Sequence, residues 1–169
     1  MLVKLCKVYY LCTMNIFYLS EDITKCAEYH VDKHIVKMPL ETAQLLCTVH
    51  WVCGGVAQYR KTHVNHPSSI WVRRSIQNYR WLCQLGKALC REYTYRYGKV
   101  HKCEQVIDWC TENEPKLPNI GFTEPTPAMA DEFKKSTSLL SYRNYYIHGK
   151  SHLATWKKRN VPDWYKIEN

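Results

Sequence analysis

Proline and glycine punctuate this sequence so that most of it is free to form helix and one stretch is not. Pro115, Pro118, Pro125 and Pro127 fall within residues 114–127. Each lacks a backbone N–H and disfavours helix in the residue before it, so this stretch reads as an extended loop. Gly54-Gly55, Gly98 and Gly149 each follow an apolar run of helical period and should stop it. Asp22 is a suitable N-cap for a helix over 22–53, which Pro39 should kink or split. Pro67 sits early in a second long helix over 67–97, where a missing N–H costs nothing. A shorter helix over 100–113, another over 128–148 and a last turn over 151–159 complete the reading. Strand-like alternation is confined to 15–19, and no internal repeat is visible. The class is all-α: a single compact helical domain of four to five helices with a long proline-rich loop.

At 169 residues there is room for one ordinary core. No apolar run approaches the ~18 residues of a membrane span, which excludes an integral helical membrane protein. Residues 1–13, MLVKLCKVYYLCT, are interrupted by Lys4 and Lys7 and lack a clear cleavage site, unlike a secretory signal. They read as a dispensable extension ahead of a 14–169 domain, with a packed N-terminal strand as the alternative. The nine cysteines form no C-x-x-C pair, which removes zinc-ribbon and thioredoxin readings. Cys83 and Cys90, like Cys103 and Cys110, lie seven apart, a spacing that suits small buried side chains on helices. They read as reduced thiols of a cytoplasmic protein, with disulfides as the alternative.

Charge is unevenly distributed. Residues 60–102 carry ten basic and one acidic side chain, 103–133 one and seven, and 134–169 eight and two. Two basic segments that packed side by side would make one cationic face. With a net charge of +9 this points to an anionic partner, of which nucleic acid is the commonest, with a basic protein tuned for solubility as the alternative. Six Trp and 13 Tyr against three Phe supply rings with polar handles, suited to half-wet surfaces and to unstacked bases. The candidate contacts are Arg73, Arg74, Arg80, Arg91, Arg96, Lys99, Arg143, Lys150, Lys157, Lys158, Trp164 and Tyr165.

A polar stripe marks the first long helix. Val31, Ile35, Met38, Leu46 and Val49 share its apolar face. His30, His34, Lys37 and Glu41 fall within about 60° of one another, about 80° from that face. There they would be partly desolvated yet reachable, which lowers an amine's pKa and raises a carboxyl's. With His66 they form the candidate catalytic set. The alternative is a solvated edge in which Lys37 and Glu41 are an i,i+4 pair. His30, His34, Glu41, His63 and His66, with His50, could instead hold a metal for a nuclease or hydrolase. No H-E-x-x-H motif supports that, so no metal and no cofactor are expected. A third reading is a nucleic-acid binder without catalysis.

Three stretches carry a family resemblance. They are MNIFYL with AEYHVDKHIVKMP, NHPSSIWVRRSIQNYRWL running into ALCREYTYRYG, and the closing VPDWYKIEN. In this order they resemble the pyrimidine-dimer DNA glycosylases of the phage endonuclease V type and their wider relatives. His30, Met38 and Pro39 match at the first register, and Pro162, Trp164, Tyr165 and Lys166 resemble a tail that lies against DNA. Residues 100–150 have no counterpart. The resemblance implies a compact, monomeric helical protein that flips a base from damaged duplex and attacks the sugar C1′ with its N-terminal amine, assisted by a glutamate. The resulting imine then allows strand cleavage. This sequence has Lys37 at the family's glutamate position and Val36 at its arginine position. Glu41 is the nearest carboxylate, so Lys37 becomes a replacement amine with Glu41 as its partner.

Overall fold

The computed structural model describes residues 14–166. The proposed extension, with Cys6 and Cys12, lies outside the described residues. Among the described residues six α-helices span Ile23–Glu28 (α1), Asp32–Val52 (α2), Pro67–Arg74 (α3), Ile76–Tyr97 (α4), Glu104–Glu112 (α5) and Ser138–Gly149 (α6). Short 3-10 turns cover Asp131–Phe133 and Ser151–Leu153, and among the described residues there is no strand. The all-helical reading holds. No helix among the described residues is long and apolar enough to cross a membrane.

The two long helices are each broken, though not where proline predicts. Asp22 caps α1 by accepting from Lys25 N at 2.7 Å. The break before α2 falls at 29–31, where the Arg96 guanidinium takes the carbonyls of Glu28 and His30, each at 2.9 Å. A long-range side chain therefore supplies partners for the end of α1. α2 runs unbroken through Pro39, whose flanking residues Ile35, Met38, Ala43 and Leu45 are locked in the core. The second break is Ser75, extended at φ −148° and ψ 155°. Its hydroxyl caps α4 through Asn78 N, and Ile76 N turns to Pro118 O at 2.9 Å. Gly98 closes α4 at φ +66°, where a residue with a side chain would be strained.

α2 and α4 form the central pair, with α5 against both and α3 beside them. Leu45, Leu46 and Val49 meet Leu82, Leu85 and Leu89 in a core completed by Val106 and Ile107. At their crossing, a Cβ on Gly86 would lie 2.8 Å from Thr42 Cγ2, so only glycine allows this approach. Cys83, Cys90, Cys103 and Cys110 are buried free thiols, as their seven-residue spacing predicts; Cys26 and Cys47 are buried too, and Cys53 is exposed.

Two extended segments wrap this helical body and shape the site. The strap over 114–127 follows α3 and α4. Trp71 Nε1 and Asn78 Nδ2 hold the carbonyl and hydroxyl of Thr123, and Thr123 N returns a bond to Asn78 Oδ1 at 2.9 Å. α6 begins at Ser138 rather than 128, capped by Thr137, because 128–137 forms a loop around a 3-10 turn. Residues 14–19 are buried without joining a sheet. Their backbone is satisfied by side chains: Glu41 accepts from Asn15 N, Cys26 binds Leu19 N and Phe17 O, and Arg143 Nε donates to Leu19 O.

Candidate active site and nucleic-acid interface

A cavity of about 660 Å³ opens over the polar stripe of α2. Its floor is His34, Lys37, Met38 and Glu41; Asn15 and Phe17 form one wall, and His66-Pro67 at the start of α3 another. Loop residues 127–134 and the end of α6 around Tyr145 and Lys150 make the far side. Four of the five predicted catalytic side chains thus share one cavity. The fifth, His30, does not reach it. It lies wholly buried, with Nδ1–H donating to Cys26 O at 2.7 Å and Nε2 without a partner. A helical wheel places it on the stripe, but the chain turns at 29–31, so its direction differs from that of α2.

Glu41 is the focus of the floor. Lys37 Nζ lies 2.9 Å from Oε1, and Asn15 N donates to Oε2 at 3.0 Å. The carboxylate side chain is 6% exposed, whereas Lys37 is 43% exposed and reaches the cavity mouth. Two donors satisfy a nearly buried anion, and one of them is an amine open to a ligand. Asn15 is a site residue that the sequence reading passed over. Its side chain also ties the floor to the far wall, donating to Ala128 O and accepting from Tyr142 Oη at 2.8 Å. The only sequence signal was its place next to Met14 in the first family-like motif.

His34 and His66 have defined roles. His34 Nδ1 meets Tyr146 Oη at 2.6 Å, and the ring stacks on Phe17 at 4.2 Å. His66 Nδ1 accepts from Ser68 N, capping α3. His63 sits outside the cavity beside Thr62, and His50 is held by Tyr79 at the other end of α2. Among the described residues no three His, Cys, Asp or Glu side chains are grouped to hold a metal. The histidine ligand set of the nuclease reading is not assembled.

Burial keeps two of these imidazoles neutral. It pushes His30 down to about 4. It pushes His34 down to about 2, with the charges of His30, Lys150 and Lys37 acting in the same direction. In the unfolded chain both titrate near 6.5. Above that pH neither state binds the proton. As pH falls below it, only the unfolded chain does, so stability is lost with acid. We expect about 2 kcal/mol of loss per histidine between pH 7.5 and pH 5. Guanidinium denaturation at the two pH values measures it. Equal midpoints would show that the two rings are not buried as described.

The predicted DNA contacts divide into two groups. Arg96 is 1% exposed and bonds Glu92, Asp32 and two main-chain carbonyls, so it is an internal strut and not a phosphate contact. Tyr165 is buried against Trp156, and Trp164 packs on Tyr29 beneath the Arg143 guanidinium. The tail motif is thereby a packing element in this chain. Arg73 ties Val64 O, and Arg80 makes a two-pronged pair with Glu114. Arg74, Arg91, Lys99, Lys157 and Lys158 are exposed, and Lys150 is partly so.

Besides Arg143 over Trp164, four cations among the described residues lie over rings. Lys150 sits above Tyr145 at the cavity, Lys157 above Tyr97, and Lys158 and Arg159 above the exposed Tyr95. Lys157 N also donates to Asp32 Oδ1, on the first turn of the helix that carries His34 and Lys37. Lys150 and Tyr145 belong to the cavity, whereas Tyr95, Tyr97, Lys157, Lys158 and Arg159 make a cationic, aromatic ledge outside it, with Tyr95 and Arg159 lining a second, smaller pocket.

A family model for pyrimidine dimer DNA glycosylases matches residues 14–105 of this chain. The match takes in Asn15, the whole of α2 and His66, but not the far wall of the cavity. No curated protein and no solved structure gives a match.

Proposed function

The chain belongs to the pyrimidine dimer DNA glycosylase family, and on that premise we propose that it excises a base from damaged duplex DNA inside the α2 cavity, with Lys37 as the nucleophile and Glu41 as its acid–base partner. The observation that carries this reading is the Lys37–Glu41 contact at 2.9 Å in the floor of a cavity of about 660 Å³. An amine attacks only when unprotonated, and a carboxylate in contact with it can take the proton.

The atoms balance as follows. The Lys37 nitrogen forms a bond to C1′ while the glycosidic C–N bond breaks and its electron pair leaves with the base. Glu41, having passed the first proton to solvent, takes a proton from the new ammonium and later gives it to O4′. The nitrogen lone pair then forms C1′=N as the C1′–O4′ bond opens, and O4′ takes a proton. The resulting imine permits β-elimination of the 3′ phosphate. Asn15 N is an amide in this chain, so it donates to the carboxylate and does not compete as nucleophile. The 14–169 body is the working unit, and it acts as a monomer on DNA. Lys150 at the cavity takes a phosphate next to the site, and the ledge of Tyr95, Tyr97, Lys157 and Lys158 takes phosphates and unstacked bases farther along the duplex.

One gel tests this. The whole protein is incubated with ultraviolet-irradiated duplex and with abasic duplex, with and without EDTA and borohydride. The reading expects incision insensitive to EDTA and a borohydride-trapped adduct that peptide mapping places on Lys37. No adduct, or an adduct elsewhere, overturns the lysine chemistry. Incision lost in EDTA overturns the metal-free mechanism. Binding should also weaken steeply with salt, and a log–log slope near zero would remove the ledge from the interface.

A further inference from the structure

We propose that His34 receives the departing base: a neutral imidazole, fixed by Tyr146 as the Nε2–H tautomer, donating into the cavity to a carbonyl oxygen of an extruded pyrimidine. This rests on the glycosylase reading above and gives it a group that acts on the leaving side of the bond.

The tautomer follows from the phenol. Tyr146 is 1% exposed, and its hydroxyl lies 2.6 Å from His34 Nδ1. Among the described residues the phenol proton has no acceptor other than His34 Nδ1. A buried hydroxyl does not leave its proton unshared without cost. Tyr146 therefore donates, His34 Nδ1 accepts, and in a neutral ring the proton is on Nε2. Burial keeps the phenol protonated and the imidazole uncharged. Phe17, stacked at 4.2 Å and 17°, holds the plane. Nδ1 points to the interior, and the ring lines the cavity, so the Nε2 edge is the one available to a ligand.

What such a donor recognises follows from its lack of charge. A phosphate would call for a cation, and the lysines at the mouth supply that. The cavity is also lined by Phe17, Met38, Phe133 and Tyr145, apolar surfaces for a flat ring. When the glycosidic bond of a pyrimidine breaks, its electron pair stays on N1 and spreads to the neighbouring exocyclic oxygen. An N–H already aimed at that oxygen stabilises the charge as it develops and needs no reorganisation. His34 keeps its proton throughout, and the freed base takes one from water. Tyr146 does not touch the substrate; it is a positioning residue.

The test uses the full chain and three variants. In the wild type, two-bond ¹H–¹⁵N spectra at pH 6–8 should show His34 neutral with Nε2 protonated, and Tyr146→Phe should give a mixture of tautomers. On a duplex carrying a thymine dimer, His34→Phe should lower single-turnover excision by about 10²–10³-fold, the loss typical of one such donor. His34→Gln, whose amide can still donate, should recover part of it. On an abasic duplex no base departs, so borohydride trapping by His34→Phe should fall tenfold or less. Equal losses on both duplexes, or excision unchanged, would overturn the inference, as would a proton on Nδ1. A wild-type protein that neither excises nor traps would instead overturn the glycosylase reading, and with it the part played by His34.

Discussion

Glu41→Gln is expected to slow base excision by about 10²–10⁴-fold, the range for losing a positioned acid–base group. The substitution is nearly isosteric, and the amide oxygen can still accept from Asn15 N, so the wall formed by residues 14–17 stays in place. What is lost is the ability to take a proton from Lys37, whose Nζ now faces a group without charge. Folding should be little affected, because the carboxylate's other partner is that surface-reaching amine. Single-turnover kinetics on irradiated duplex, with a thermal melt as control, measures both. An excision rate within threefold of wild type would sink the assignment of Glu41. Lys37→Ala should remove the borohydride adduct altogether while leaving Asn15 N bound to Glu41.

The largest structural effect should come from Arg96→Met. The guanidinium is wholly enclosed and makes four directed bonds, to Glu92 Oε1 at 2.7 Å and to Asp32 Oδ1, His30 O and Glu28 O at 2.9 Å each. Removing one partner of a buried ionic network typically costs about 3–5 kcal/mol, because the others are left uncompensated. Here Glu92 keeps Arg159. Burial pulls its carboxyl upward, and the bonds from Arg159 and Arg96 more than offset that. The carbonyls at the α1–α2 break would have no replacement. Since single domains are stable by only about 5–15 kcal/mol, the variant should denature at markedly lower guanidinium or fail to accumulate. Arg96→Lys should rescue little, as one ammonium cannot reach four acceptors arranged for a planar fork. A loss under about 1 kcal/mol, too small for a broken buried pair, would contradict the network.

Much of the architecture is written in local chemistry. Gly98 and Gly149 end α4 and α6, Pro67 opens α3, and cysteines seven apart lie in the core. The stripe from His34 to Glu41 is legible because a helix carries residues three and four apart on one face. What failed to show depends on contacts distant in sequence. The first helix breaks at 29–31 because of a guanidinium on α4, not because of Pro39, whose neighbours are held by packing. Arg96 looks like one more cation of a basic, aromatic turn, and only the folded chain shows it closed in by Glu92 and Asp32. His30 left the cavity with the same break. Trp164 and Tyr165 read as a nucleic-acid tail but close over Tyr29 and Trp156. The loop 128–137 carries helix-compatible residues, but Asn15 takes the Ala128 carbonyl, Asn144 takes that of Phe133, and a 3-10 turn at 131–133 replaces the helix.

The cavity is assembled from separate parts of the chain, joined through Asn15, which links Glu41 on one side to Ala128 and Tyr142 on the other. Reaction and selection are thereby divided between two pieces of polypeptide. The floor on α2 can stay as it is while Met129, Phe133 or Lys134 changes, and such changes would alter the shape of lesion admitted without altering how its bond is cut. An enzyme built this way can acquire a new substrate by remodelling its ceiling alone.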